Sequence, residues 1–450
     1  MTARFELLDM IEDPNVAFDL PRESYLDKQI IAANEVFQAH RGKIGLLNRR
    51  AEEAGIDSIT SLNDLVPLLF SHTAYKSYPP SFFEKGQWEK MLKWLGALST
   101  TDLSNVDVSG VEDVDEWVER LWSAGHAVIV TSGTSGKCSF LNHTLDDRAR
   151  KTKHFKFSSG WPFIRADGDH VYFWMGPSAG RTSAVEAFVT HAENWGRPGE
   201  IHALSDEPIL VSEISEAAAF RTRMSNGTAT PDEIAGVEAR GAAKSARIQS
   251  DLAKFTEKIV AYRDQPIFVN GMWGQHMMIL ERAHELGIGD GEFHPDSVIG
   301  SGGGVKGVVL PPDYKEQVAR FWGDAVRIAS YGMTELAQPL PMCNGGRYHA
   351  APGLIVLPLN EDGTTLLEAT DGVDGLVEAR FGFLDLAVDG RWGGVITGDK
   401  VTVDFSGNCP CGRAGLTILD TISRFAQAGQ NDHIGCAGTI DAYIRGAVGA

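Results

Sequence analysis

Strands alternating with helices through the middle of the chain predict an α/β fold on a mainly parallel sheet, preceded by helices and followed by a strand-rich part. Three observations carry that expectation. Short apolar runs ending in Gly or Ser recur as HAVIVTSGTSG, HVYFWMG, PIFVNGMWG, DSVIGSGGG and AVRIASYGMTE. Helical windows separate them, among them EIAGVEARGAAKSARIQSDLAKFTEKIVAYR and QHMMILERAHELG. After about residue 345 the helical period gives way to GLIVLPL, TLLEAT, GLVEARF and GGVITGDKVTVDF, divided by Gly, Asn and Asp as in an antiparallel sheet or small barrel.

Residues 1–120 read as a helical N-terminal region. DKQIIAANEVFQAHRGKIGLLNRRAEEAG has apolar residues three and four apart and stops at a Gly. SLNDLVPLLF and DVDEWVERLWSAG show the same period, with SYPPSFF between them as a breaker. Residues 121–345 form the expected α/β core, 346–423 a β-rich subdomain, and 424–450 a Gly- and Ala-rich remnant too short to fold alone.

Composition narrows the function. The 450 residues carry a net charge of −19, which argues against nucleic acid and anionic membrane as main partners, because both are held largely by Lys and Arg. The N-terminus shows no basic start followed by an apolar run, and no stretch approaches the ~18 apolar residues of a membrane span. Five cysteines, odd and sparse, do not form a disulfide framework. A soluble cytoplasmic protein is expected, and a homo-oligomer is compatible with the sequence.

Three polar motifs stand out. Thr131-Ser132-Gly133-Thr134-Ser135-Gly136-Lys137 follows a strand, and small residues let backbone N–H groups crowd an anion while Lys137 adds charge. It is not a Walker A motif, and alone it reads more readily as a plain loop. Ser330-Tyr331-Gly332-Met333-Thr334-Glu335 follows AVRIA, and Thr397-Gly398-Asp399 is expected to close GGVI. An aromatic face can stack on a base, a carboxylate can hold Mg²⁺ or a ribose diol, and a Thr can bond phosphate.

TSGTSGK, the turn Ser301-Gly302-Gly303-Gly304, YGMTE and TGD in this order resemble the adenylate-forming (acyl- and aryl-AMP) ligases. The nearest likeness is to the phenylacetate–coenzyme A ligase branch and the acyl-protein synthetases of bacterial bioluminescence. The resemblance implies ATP-dependent adenylation of a carboxylic acid, with pyrophosphate released. It implies that residues 131–137 hold the β- and γ-phosphates and that Glu335 holds Mg²⁺. Thr334 then meets the α-phosphate, Tyr331 and Gly302–Gly304 enclose adenine, with Gly332 and Met333 beside them. Asp399 accepts the ribose hydroxyls with Arg424 nearby. Ser139 stands where many relatives carry a second Lys, which leaves Lys137 to supply that charge.

A second constellation is independent of the first. Cys343 and His349 (C-x5-H) and Cys409-Pro410-Cys411 offer three thiolates and an imidazole, a donor set suited to tetrahedral Zn²⁺. The alternative is four unrelated residues, with buried thiols acting as small apolar groups. NCPCGR also resembles the phenylacetate branch, which favours a structural zinc fastening the β-rich part.

Relatives usually continue past the Arg424 hinge with a mobile domain bearing a Lys; the residues after Arg424 hold none, so that domain is expected to be truncated. They do hold Asp432-His433-Ile434-Gly435-Cys436, and a thiol beside a His can accept an activated acyl group. Cys436 is therefore the first candidate acceptor, against a structural cysteine; carrier protein, coenzyme A or an amine are the alternatives. Trp174, Met175, Met272, Trp273 and His276 are nominated to line an aryl or medium-chain acid pocket, against ordinary core. A different class of reading is a catalytically degenerate ligase fold acting as a scaffold or binding protein.

Overall fold

The two kinds of sheet expected from the sequence belong to two compact units, Met1–Pro162 with Tyr331–Ala450, and Phe163–Ser330. This computed structural model describes residues 2–131, 137–302 and 309–425. Ser132–Gly136, Gly303, Gly304 and Cys436 lie outside the described residues. The units divide the chain at points other than 120, 345 and 423. Changes in residue pattern mark changes of secondary structure, whereas compact units follow packing, and here the sequence of one unit interrupts that of the other.

The inserted unit is an α/β layer. Its strands stand in the order Gly196–Ile209, His170–Gly180, Ile267–Met272, Val298–Gly302, Val326–Ile328, and all pair in parallel. The alternation of side chains along a strand sorts residues onto two faces. Val171, Phe173 and Met175 join one core with Ile259, Trp273 and Trp322, while Tyr172 joins another with Trp195 and Phe268. Helices cover both faces, as a parallel sheet requires. The long helix Pro231–Ala261 opens with a capping box: Glu233 N–H donates to Thr230 Oγ1 at 3.2 Å, and Thr230 N–H donates to Glu233 at 2.8 Å. Strand Gly196–Ile209 is not legible in the sequence. It is the sheet edge, so its pattern is largely polar rather than an apolar run.

The other unit carries a seven-stranded, mostly antiparallel sheet with Arg347–His349, Thr417–Leu419, Gly394–Asp404, Leu376–Asp385 and Leu354–Leu359 in that order. Phe70–Ser71 adds in parallel to Val395–Ile396, and Ser423–Arg424 adds antiparallel to Asp399–Lys400. Both additions converge on the Thr397–Asp399 segment.

Several local expectations are corrected. Residues 26–54 form two helices, Leu26–Arg41 and Gly45–Ala54, broken around Gly42. Leu62–Leu68 is a 3₁₀ segment with Pro67 inside it, since Pro removes an N–H donor. Ala127–Val130 does not enter the parallel sheet; it forms a separate antiparallel pair with Phe140–His143. TLLEAT is not a strand of the sheet; its last two residues open the 3₁₀ turn Ala369–Asp371. Thr397-Gly398-Asp399 does not close a strand but sits inside Gly394–Asp404, where the register shifts between Arg380 and Gly382. Backbone bulges of that kind re-aim side chains next to sites.

Candidate active site and candidate metal centre

The bulge presents Asp399. Thr397, 2% exposed, locks it: its hydroxyl donates to the Phe381 carbonyl at 2.8 Å and accepts from Asp399 N–H at 3.1 Å. Beneath it Arg380, also buried, donates to the Thr397 carbonyl at 2.9 Å. Asp399 then meets two of the expected partners. The Tyr331 hydroxyl donates to one carboxylate oxygen at 2.9 Å, and Arg424 Nε lies 3.3 Å from the other. Pairing of Asp399 with Arg424 across the strands fixes that second contact. Burial, then the adjacent Asp399, push the Tyr331 hydroxyl well above the usual tyrosine range, so it stays a donor.

Glu335 belongs to the same cluster. Its half-buried carboxyl is pushed upward by burial, opposed by its backbone and by Arg391 and Lys76. The segment behind it is fixed by Asp385, fully buried, which accepts from Ala337 N–H at 2.7 Å and from the Gln338 side chain at 2.8 Å. Arg391, with no exposed surface, donates to the Glu335 carbonyl at 2.7 Å and lies over the Tyr75 ring. Lys76 ends the 3₁₀ segment His72–Lys76, close enough for its charge to be felt by Glu335 and Arg424. Sequence reasoning missed Lys76, Arg380, Asp385 and Arg391, because each lies outside a motif and reaches the cluster only through long-range pairing.

The phosphate-loop candidate is anchored at both ends. Thr131 N–H donates to the Ser139 carbonyl at 3.1 Å, and Ser139 N–H returns a bond to the Thr131 hydroxyl at 2.9 Å. Lys137 Nζ donates to the carbonyl of Tyr78 at 2.7 Å. The segment Lys76–Tyr78 thus links the end of the loop to the Glu335 cluster. Thr334 is partly exposed, and Gly332 is exposed. Met333 is partly exposed beside them. Ser301 and Gly302 end the strand Val298–Gly302 of the inserted unit.

The nominated acid-pocket residues, all in the inserted unit, divide. Met175 and Trp273 are buried in its core, and Trp273 packs edge-on against Tyr314. His276 has no exposed surface; its Nε2 pairs with the Gly300 carbonyl at 3.1 Å, and burial lowers it to about 4. All three side chains lie in the packed interior of the unit. Trp174 is partly exposed and Met272 is 56% exposed, so these two keep surface for a ligand.

The metal candidates come together. The ligand atoms of Cys343, His349, Cys409 and Cys411 all lie within 4.8 Å of one another. Cys343 and Cys409 sulfurs are 3.6 Å apart, and the Cys411 sulfur is 3.5 Å from His349 Nε2. Those separations suit the edges of a tetrahedron with bonds of about 2.0–2.3 Å. His349 Nδ1 donates to the Phe18 carbonyl at 3.1 Å, which leaves Nε2 to face the sulfurs. Burial and the neighbouring thiols push Cys409 up to about 12, a cost that a divalent cation reverses. Gly345 is needed here, because a Cβ would stand 2.7 Å from the Cys411 amide nitrogen.

No protein-family model matches the chain. No curated protein matches it either. Among solved structures it is similar to 2-hydroxyisobutyryl-CoA ligase in the postadenylation state in complex with R3-HIB-AMP, at 13% identity and a TM-score of 0.52, covering 91% of this chain and 70% of that one. The fold is that of an adenylate-forming ligase. Two others align only in part. ATP-bound MatB from Rhodopseudomonas palustris has 16% identity and a TM-score of 0.35, over 64% of this chain and 47% of that one. o-Succinylbenzoate coenzyme A synthetase from Bacillus subtilis, with ATP and magnesium ion, has 13% identity and a TM-score of 0.34, over 65% and 49%. Within the ligase fold of this chain, no helix of the described residues is long and apolar enough to cross a membrane.

Proposed function

We propose that this chain joins a carboxylic acid to AMP at the expense of ATP, releasing pyrophosphate, and then passes the acyl group to a thiol. The observation that carries the reading is the meeting of Tyr331, Glu335, Asp399 and Arg424 in one cluster. Tyr331 and Asp399 suit a nucleoside, Glu335 suits a metal-bound phosphate, and Lys137 brings charge from the loop. The site would hold Mg²⁺ through Glu335, and the ion supplies neutralisation of phosphate charge.

In adenylation, a carboxylate oxygen forms a bond to the α-phosphorus while the α–β bridging bond breaks, and pyrophosphate leaves with that electron pair. Such a step needs alignment and charge balance more than covalent help. Asp399 and Arg424 orient the ribose, Thr334 offers a hydroxyl to the α-phosphate, and Lys137 faces the leaving phosphates. In transfer, a thiolate bonds to the acyl carbon and AMP departs with the electrons of the C–O bond. The acid is proposed to be aryl or medium-chain. Cys343, His349, Cys409 and Cys411 would hold a structural zinc with no ligand position left for chemistry.

The test is acid-dependent exchange of labelled pyrophosphate into ATP by the purified protein with Mg²⁺. Exchange with at least one acid of an aryl and medium-chain panel is expected, and none across the panel rejects adenylation. For the acceptor, Cys436 is the proposed thiol: labelled acid with ATP should leave hydroxylamine-labile label on the protein. Label undiminished in Cys436→Ala assigns the acceptor elsewhere.

A further inference from the structure

The cations of the cluster are not equivalent. Arg391 has no exposed surface and is held by the Glu335 and Trp392 carbonyls, at 2.7 and 3.2 Å. Arg424 is paired with Asp399 at 3.3 Å. Lys76 is partly exposed and senses both Arg424 and Glu335. Its placement is built into the sheet: Phe70 pairs with Val395 and Ser71 with Ile396, so the turn His72–Lys76 runs on beside Thr397–Asp399. Tyr75, the preceding residue, is pinned by its hydroxyl to the Trp392 carbonyl at 3.0 Å and lies under Arg391. Lys76 therefore springs from a fixed base rather than from a loose loop.

We propose that Lys76 contacts the α-phosphate of the bound adenine nucleotide, between the ribose held at Asp399 and the metal-bound oxygens at Glu335. The inference rests on the nucleotide reading of this cluster. The phosphate that lies between a ribose and a metal-held phosphate chain is the α-phosphate, and Lys76, at the end of the turn that follows the strand paired to Val395–Ile396, is a partly exposed cation near both groups. There it offsets charge that builds on the equatorial oxygens as the carboxylate attacks.

The experiment measures equilibrium binding of ATP with Mg²⁺, of AMP and of adenosine to the full chain and to Lys76→Ala, Lys76→Met and Lys76→Arg, beside pyrophosphate exchange. Hydrogen bonds to charged groups are worth enough that loss of one weakens binding by about 10-fold or more. Lys76→Ala and Lys76→Met should lose that much for ATP and AMP, keep adenosine within about 2-fold, and lower exchange. Lys76→Arg should recover part of the loss. Unchanged AMP affinity in Lys76→Ala and Lys76→Met overturns the proposal while wild-type exchange upholds adenylation. Equal loss of adenosine makes Lys76 a packing residue and also overturns it. A wild-type chain that binds none of the three ligands and exchanges no pyrophosphate rejects both readings. Thermal melting of each variant separates misfolding from lost contact, and Lys76→Arg carries the test if the others unfold.

Discussion

Replacing Cys409 with Ser is expected to release bound metal and lower the thermal midpoint by about 5 °C, or roughly 3–4 kcal/mol at about 1–2 °C per kcal/mol for a unit of this size. The effect is large because the site joins distant parts of the chain. His349 ends the strand Arg347–His349, Cys343 precedes that strand, and Cys409 and Cys411 come from the loop before its partner strand Thr417–Leu419. His349 is also bonded to Phe18 near the N-terminus. Phe18 and Trp161 pack on one another and on the His349 ring, so loss of the ion loosens buried aromatic groups as well as thiols. Metal analysis after dialysis should give about one zinc per chain in the wild type, and well under that in Cys409→Ser. A wild-type protein that is metal-free yet equally stable rejects the centre.

Glu335→Gln is expected to lower pyrophosphate exchange by about 10²–10³-fold, the scale of removing one electrostatic contact to a developing charge. Gln keeps the shape of the side chain and the Arg391 contact, which is to the Glu335 carbonyl, so the loss reports the carboxylate. Asp399→Asn should behave differently. It should raise the apparent KM for ATP by about 10-fold with a smaller change in kcat, because the ribose contact proposed for Asp399 would be made alike in the ground and transition states. Exchange in Glu335→Gln above a tenth of wild type removes Glu335 from the metal-holding role. The two variants together separate charge neutralisation from nucleoside placement.

Most of the secondary structure is legible in the sequence because it follows from near neighbours. The apolar runs at 170–180, 267–272 and 298–302 are strands, and the long window 233–263 lies in one helix, Pro231–Ala261, except for its last two residues. The failures have physical causes. The edge strand Gly196–Ile209 is only partly covered and carries no apolar run, and Ala127–Val130 has the composition of a parallel-sheet strand but pairs in a hairpin. Met175 lies in a strand as expected, whereas Trp273 and His276 open the helix Trp273–Glu285 instead of ending a strand, and each is buried in packing that local sequence does not report.

The order of the polar motifs and the chemistry of the four metal-site donors depend only on residue type and spacing, and both can be read without coordinates. Long-range packing is what brings Lys76, Arg391 and Asp385 around Glu335, and what makes Thr397–Asp399 a bulge inside a strand. Charge at a site is set by groups brought near in space. Here that nearness comes from pairing Phe70–Ser71 and Ser423–Arg424 onto one distant strand, which no local window encodes.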